Sequence, residues 1–269
     1  FFYSGNADFP YDPYPNGTME VGIEAAHSLA QFSGGLVWLA SNDEGDAYVV
    51  HMQGLTATPI STPEIEWQIS EFTIKNDAIG AIYRQAGRIF YVLTFPSADK
   101  SFCFDLTPDG RDWHERKSYQ LGRWRVAGIG YLAGKVICVY YDNAKFYKLD
   151  FNTYDEDCAG LERIRIAPVI HKTRKVMTFW EVIVELKTCV GLTTGQGSDP
   201  QIMLSYSDDG GETWSSELWE TLGKKGERLT EVKWEQLGDS KERIFQIKVT
   251  DPVEVEILGA YADITLGDF

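Results

Sequence analysis

The octapeptide Ser-Asp-Asp-Gly-Gly-Glu-Thr-Trp at residues 207–214 constrains the fold more than any other feature of this chain. It matches the Asp-box pattern S-x-D-x-G-x-x-W through Ser207, Asp209, Gly211 and Trp214. A turn aspartate accepts hydrogen bonds from amides of its own loop, and glycine takes positive φ without a steric penalty. Branched and aromatic residues such as Thr213 and Trp214 pack well in strands. The motif therefore predicts a β-hairpin in an all-β fold, with the return strand starting at Thr213.

Three similar units precede residue 157, each with a glycine turn, an apolar strand, a polar hairpin and a second strand. Their strand pairs are Gly35–Ala40 with Tyr48–His51, Gly87–Leu93 with Ser101–Asp105, and Gly134–Val139 with Lys145–Asp150. The leading glycines lie 52 and 47 residues apart. A repeat of about 40–50 residues with about four strands is typical of propeller blades. The units therefore predict β-propeller-like blades.

After residue 157 the pattern changes to long alternating strands joined by glycine-rich links. Strands are predicted at 161–170, 176–186, 201–206, 229–237, 243–249 and 253–262. This pattern fits a β-sandwich-like module and also a final pair of blades. We therefore divide the chain into an extended aromatic and proline-rich segment (1–27), β-propeller-like blades (28–157) and a β-rich C-terminal module with the Asp-box (158–269). Tyr3, Phe9, Tyr11 and Tyr14 lie among Pro10, Pro13 and Pro15 in the first segment, which we expect to lie along a neighbouring module or chain.

One short helix is predicted as a crossover between the first two units. Thr62 is its candidate cap and Pro63 its first residue, with acidic side chains in the first turn. Ile65, Ile69 and Phe72 recur at helical spacing on one face. No other segment keeps a helical period for long.

The net charge of −15, from 40 acidic and 25 basic residues, disfavours tight binding to nucleic-acid phosphates, which requires clustered lysine and arginine. An acidic surface has a use in a DNA conduit, because it repels phosphate and lets a duplex slide. No apolar run approaches the roughly 18 residues of a membrane span. Residues 1–20 lack a signal-peptide pattern, and the chain begins without methionine, so we expect it to be part of a longer protein.

The four cysteines, at positions 103, 138, 158 and 189, have neither C-x-x-C spacing nor a nearby histidine. This spacing predicts neither a metal site nor a disulfide framework. Cys103 and Cys138 alternate within apolar strands, so we expect buried, reduced thiols. Reduced thiols are consistent with folding in the cytoplasm.

No catalytic arrangement is visible in the sequence. Sialidases are the best-known Asp-box proteins, and their chemistry needs three clustered arginines, a tyrosine–glutamate pair and an acid/base aspartate. The arginines here are scattered, and the Asp-box occurs once. The four histidines share no spacing, and the loop 42–46 lacks the ligand pattern of a calcium site. We expect no enzymatic activity, no metal and no cofactor.

An ordered series of segments surrounds and follows the Asp-box: Asp199–Ser215, Glu217–Trp219, Leu222–Glu227, Val232–Trp234, Leu237–Gly238, Arg243–Phe245, Thr250–Val253 and Gly259–Ala260. An upstream series comprises Ile60–Glu66, Asp77–Ala78, Phe90–Pro96 and Trp113–Arg116. Together they cover most of residues 36–260. In this order the chain resembles the packaged-DNA stabilisation proteins, the tail hub or nozzle proteins of short-tailed bacteriophages.

The resemblance implies a structural virion protein of the short tail, made in the host cytoplasm and assembled as a ring of six copies below the portal and its adaptor. Such a ring would continue the DNA channel, pass DNA without sequence-specific binding and help retain packaged DNA until ejection. Its neighbours would include the needle, tailspike or fibre. Two alternatives stay open: a sialidase-like or carbohydrate-binding propeller, and a cytoplasmic propeller that acts as an interaction scaffold. Trp113, Trp124 and Trp219 are candidates for partner surfaces or for ordinary packing.

Overall fold

A computed structural model describes residues 2–3, 5–12, 21–110, 112–143, 145–173, 175–187, 189–227 and 231–267. The chain divides into two compact units, Phe1–Phe151 and Asn152–Phe269. Strands dominate both units, so the all-β prediction is confirmed. Within the described ranges, no helix has the length and apolar content of a membrane span. The three-part division after residues 27 and 157 stays a prediction.

A short antiparallel hairpin lies near the start of the first unit. Its strands are β1 (Phe2–Tyr3) and β2 (Tyr11–Asp12). Tyr3 and Tyr11 are directly paired in this hairpin, so part of the 1–27 segment pairs with itself. The predicted contributions of Pro13, Tyr14 and Pro15 lie outside the described residues.

Three antiparallel sheets of consecutive strands form the rest of the first unit. The first sheet contains β3 (Ala30–Phe32), β4 (Gly35–Ser41), β5 (Ala47–Gln53) and β6 (Thr56–Pro59). The second contains β7 (Ile79–Gln85), β8 (Arg88–Phe95), β9 (Lys100–Asp105) and β10 (Trp113–Glu115). The third contains β11 (Val126–Leu132), β12 (Lys135–Tyr140) and β13 (Phe146–Lys148). The three predicted strand pairs, β4–β5, β8–β9 and β12–β13, are confirmed, although the third sheet has three described strands where about four were expected.

A helix, α1 (Pro63–Ser70), joins the first two sheets as predicted. Ile65 and Ile69 are buried on its inner face. Phe72 lies beyond the last helical residue, yet it packs on the same core and contacts the Phe95 ring edge-on at 5.0 Å. Thr62 occupies the N-cap position as predicted, but its side chain makes no capping bond. Its hydroxyl instead donates a hydrogen bond to the Glu64 carboxylate. The pKa of Glu64 is lowered by a hydrogen bond from its own amide and, to a smaller extent, by the bond from Thr62.

The sheets of the first unit pack through two apolar clusters, one on each face of the second sheet. Neighbouring residues of a strand point to opposite faces. Leu93 therefore joins the cluster shared with the first sheet and α1, while Val92 joins the cluster shared with the third sheet. Cys103 and Cys138 lie in this latter cluster, which confirms the prediction of buried thiols. Burial raises the pKa of Cys103 to about 11.

The second unit begins with a short hairpin, β14 (Asp155–Glu156) and β15 (Ala159–Gly160). One larger sheet contains β16 (Arg163–Ile166), β17 (Ile170–His171), β19 (Gln201–Ser207), β20 (Leu218–Thr221) and β22 (Glu242–Val249). The other contains β18 (Met177–Leu186), β21 (Val232–Ser240) and β23 (Ile257–Leu266). The orders are β16-β22-β19-β20, with β17 also on β22, and β21-β18-β23.

These two sheets share one apolar core. Phe179 and Val184 of β18 meet Leu204 of β19 and Phe245 of β22 in it. Two sheets that enclose a common core form a sandwich, which decides between the two architectures that the sequence left open. The structure corrects three strand predictions: the single strand predicted at 161–170 is two strands, β16 and β17, β20 was not predicted, and β23 begins at Ile257 and not at 253. Leu229, the predicted start of another strand, lies outside the described residues.

The Asp-box hairpin as the candidate functional site

The Asp-box occupies the connection between β19 and β20, which pair antiparallel. Ser207 ends β19, but the return strand begins at Leu218, so Thr213 and Trp214 lie in the loop. The prediction that the strand resumes at Thr213 is therefore wrong. One side-chain bond and one backbone bond close a wider loop: the Tyr206 amide donates to Ser215 Oγ at 3.0 Å, and the Ser215 amide donates to the Tyr206 carbonyl at 2.8 Å.

Asp209 is the central acceptor of this loop. The Ser207 hydroxyl donates to Asp209 Oδ1 at 2.6 Å, and the Thr213 amide donates to both carboxylate oxygens at 3.0 Å. The Thr213 hydroxyl also donates to Oδ2. Hydrogen bonds to the charged form favour it. The bonds from Ser207, then those from Thr213, hold the pKa of Asp209 well below its usual range.

The two glycines of the motif allow the chain to reverse here. Gly210 and Gly211 have φ of 79° and 101°, in the region that side chains with a Cβ rarely adopt. The Gly211 amide donates to Ser207 Oγ at 2.9 Å, so the buried serine both accepts within the loop and donates to Asp209. Ser207, Asp209, Gly211 and Thr213 thus form one local network, beside which Trp214 is half-buried.

Arg243 anchors this loop, and the sequence interpretation missed it. Its side chain is 2% exposed, and Nε and Nη2 donate to the two Asp208 carboxylate oxygens at 2.6 and 2.7 Å. Nη1 donates to the Leu237 carbonyl at 2.6 Å. The guanidinium carbon lies 4.1 Å from the Tyr206 ring centre and 4.7 Å from that of Phe179. Arg243 therefore ties the hairpin to residues of both sheets of the sandwich.

A sequence signal for Arg243 did exist. In β22 it shares the strand face of Phe245, Ile247 and Val249, which the two-residue period points at the core. An arginine on a buried face requires paired acceptors, since burying an unpaired charge is costly. The partner was not readable from the sequence, because Asp208 lies 35 residues away.

The two aspartates of the hairpin have structural roles. Asp208 is held by Arg243, and Asp209 is held by donors of its own loop. The loop 42–46 is likewise a turn between β4 and β5, where Asn42 Oδ1 accepts from the amides of Glu44 and Asp46 at 3.1 and 2.8 Å.

Of the three candidate tryptophans, Trp124 is buried and Trp113 donates to the Ile60 carbonyl at 2.8 Å, while Trp219 is exposed.

Replacing Asp209 with asparagine will lower the stability of the second unit at neutral pH and much less at low pH. The folded-state pKa of Asp209 is depressed, so its contribution is present above the unfolded-state value of about 4 and is lost as the pH falls through the folded-state value. Denaturant midpoints of wild type and Asp209→Asn, measured from pH 7 downwards, should therefore converge. Glu212→Gln, an exposed carboxylate of the same loop, is the control and should track the wild type. A constant difference at every pH would contradict this account.

Comparison with known proteins agrees with the two-part fold. The beta-propeller model of Bacteriophage P22 Gp10 matches residues 1–154, and the beta-sandwich model of the same protein matches residues 162–265. No curated protein matches the chain. These matches confirm both the family resemblance and the prediction of propeller-like repeats followed by a β-rich region, and of the two architectures that the sequence left open for this region they agree with the sandwich.

Among solved structures, the chain also matches a glycoside hydrolase family 43 arabinoxylan arabinofuranohydrolase from Bacillus subtilis, in complex with cellotetraose. Its identity to this chain is 9% and its TM-score 0.25, over 92% of this chain and 52% of that one. The chain thus spans about half the length of that structure, and a likeness this low supports no inference about fold or activity. The family matches, in contrast, cover both compact units in order: the chain belongs to the Bacteriophage P22 Gp10 family, structural phage tail proteins that stabilise packaged DNA.

Proposed function

We propose that this chain is a subunit of the hub, or nozzle, of a short phage tail, where it continues the DNA channel below the portal and adaptor. The observation that carries this proposal is the family match of both units in the propeller–sandwich order. In this role six copies form a closed ring that helps to retain packaged DNA until ejection. The needle, tailspike or fibre would attach to the same assembly.

The charge of the chain supports passage of DNA in preference to binding. At −15 the protein repels phosphate, so a duplex moves past its surface without sequence-specific contacts. Synthesis in the host cytoplasm is consistent with the buried thiols Cys103 and Cys138. The segment 1–27, which carries aromatic and proline residues ahead of the blades (28–157) and the C-terminal module (158–269), would contact a neighbouring module or chain.

In this proposal the protein has no catalytic role. The Asp-box residues Ser207, Asp209, Gly211, Thr213 and Trp214 act as a structural hairpin, supported by the hydrogen bonds that Asp209 accepts within its own loop. A fluorogenic sialoside and a glycan panel test this part. We expect neither hydrolysis nor saturable binding, and either result would return the carbohydrate-binding propeller to consideration.

Immunogold labelling of purified phage particles with an antibody against this chain tests the proposed location. Gold confined to the tail vertex is the expected result. Antibody absorbed beforehand with the purified chain serves as the control and should leave the particles unlabelled. If the protein is found in the lysate and labels no particle, the hub proposal is overturned.

A further inference from the structure

A cavity of about 230 Å³ lies inside the first unit, between the second and third sheets. One side of it is the face of the second sheet that the third sheet covers. Ala81 and Val92 are register partners on this face, and Val92 belongs to the apolar cluster between the two sheets. Val126 of β11, from the same cluster, lies on the opposite side. The cavity is therefore a feature of the contact between these two sheets and does not depend on what covers the outer faces of the unit.

The contact between these sheets is filled by large side chains at one end and by small ones at the other. At the filled end Tyr83 stacks on Phe90 with ring centres 5.1 Å apart, and the ring of Trp124, which lines the cavity, lies 6.3 Å from that of Tyr83. Two residues before Tyr83, on the same strand face, Ala81 presents a single methyl group to the cavity. Protein interiors are normally close-packed, and an unfilled apolar volume lowers stability. The space beside Ala81 is therefore a candidate ligand site.

One basic residue, Arg123, lies at the edge of this cavity. Its side chain is 17% exposed, and its guanidinium carbon lies 4.1 Å from the ring centre of Tyr141, which also lines the cavity. Its ion-pair partner is Asp99, whose Oδ1 is 3.7 Å from Nε, too far for a hydrogen bond. Asp99 is itself 58% exposed, so water screens the pair. Among the described residues the guanidinium donates no hydrogen bond, and its donors are available to a ligand.

The residues that line the cavity indicate the chemistry of its ligand. Most of them are apolar, and two of these, Ile79 and Tyr141, are exposed, so a ligand can enter beside them. An apolar cavity of roughly 150 Å³ holds one benzene ring, and this larger cavity therefore has space for a ring with a short chain. A guanidinium offers parallel donors that match the two oxygens of a carboxylate. The site thus combines an apolar space with one carboxylate-binding group.

We propose that this cavity binds a carboxylic acid whose apolar group fills the space between the sheets and whose carboxylate pairs with Arg123. The rings of Trp124 and Tyr141 flank the apolar group in this arrangement. A free aryl acid and a peptide that ends in an aromatic residue carry the same two groups, so both sources fit this chemistry. The inference concerns the first unit alone and is independent of the hub proposal and of its immunogold test.

Titration of the full chain with 3-phenylpropanoate tests the site, with binding measured by calorimetry and by ligand-observed NMR. Saturable binding at one site per chain is expected. The uncharged 3-phenylpropanamide should bind at least about tenfold more weakly, because it lacks the charged contact. Arg123→Gln should weaken binding of the acid by a similar factor and leave binding of the amide unchanged. Ala81→Leu, which fills the cavity, should abolish binding of both compounds.

Arg125→Gln is the matched control for Arg123→Gln. It makes the same charge change two residues away, at a side chain of similar burial that pairs with Asp142 at 3.0 Å and is not among the residues that line the cavity. This variant should bind 3-phenylpropanoate as the wild type does. Circular dichroism and thermal melting verify that each variant folds. A wild-type chain without saturable binding overturns the proposal, as does an Arg123→Gln variant with unchanged affinity for the acid.

The tripeptide Gly-Gly-Phe and its C-terminal amide distinguish the two sources of the ligand. If the free peptide binds more tightly than 3-phenylpropanoate and the amidated peptide does not, the site takes the C-terminal residue of a neighbouring protein. If 3-phenylpropanoate binds more tightly than either peptide, the site takes a small molecule. Both results uphold the site, whereas equal binding of the free and amidated peptides would contradict the role of the carboxylate.

Discussion

Replacing Arg243 with methionine will destabilise the second unit by about 3 kcal/mol. The change removes charged hydrogen bonds to Asp208 and to the Leu237 carbonyl, together with contacts to two aromatic rings. Asp208 is 40% exposed and stays solvated, which keeps the loss near the lower end for a broken buried pair. Hydrogen exchange in urea, measured by mass spectrometry on peptides of β18 and β22, reports the free energy of unfolding of the second unit separately from that of the first.

Two further variants test whether the loss at Arg243 comes from its contact with Asp208. Arg165→Met, on the exposed neighbouring strand β16, should change stability by less than about 0.5 kcal/mol. Asp208→Asn combined with Arg243→Met should cost less than the sum of the single changes, because both residues belong to one network. Additive effects, or an Arg243→Met loss as small as that of the control, would show that the guanidinium does not anchor the hairpin.

Gly80→Ala will destabilise the first unit by about 2–3 kcal/mol through overpacking. A Cβ at this position would lie 2.0 Å from the Ser28 carbonyl oxygen and 2.9 Å from the Tyr91 hydroxyl. Neither can yield readily, since the Tyr91 hydroxyl donates to that same carbonyl at 2.8 Å, and the Leu39 amide donates to Ser28 Oγ at 2.9 Å. The substitution therefore forces β7 away from Ser28, which precedes the first sheet and is bonded to Leu39 of β4.

Gly130→Ala is the matched control for Gly80→Ala. It lies in β11, the first strand of the third sheet, as Gly80 lies in β7, the first strand of the second. Nothing is within 4 Å of its added Cβ, so its effect should stay within about 0.5 kcal/mol. The free energies of unfolding of the two variants are compared by denaturant unfolding, monitored through hydrogen exchange in peptides of β4 and β8. Equal losses would mean that strand propensity, and not the approach of Ser28, makes glycine necessary at position 80.

The sequence by itself determined the features that depend on local chemistry. Glycine-led apolar runs placed β4, β8 and β12 with their partner strands, because alternation and turn residues act over a few positions. The Asp209 turn follows from the same local rules, since its donors Ser207 and Thr213 lie within four residues. The local rules failed where two groups competed, as when the Thr62 hydroxyl bonded Glu64 instead of capping α1.

Only the tertiary structure decided the features that depend on distant partners. The alternating pattern after residue 157 suited a sandwich and a pair of blades equally, because each strand has the same buried face in both. Packing chose the sandwich, by placing β18 and β22 around one core. Packing also brought Asp208 to Arg243 and set Gly80 against Ser28. Such pairings depend on which surfaces come together when apolar area is buried. Because that burial involves the whole chain, no single segment of the sequence predicts the pairings.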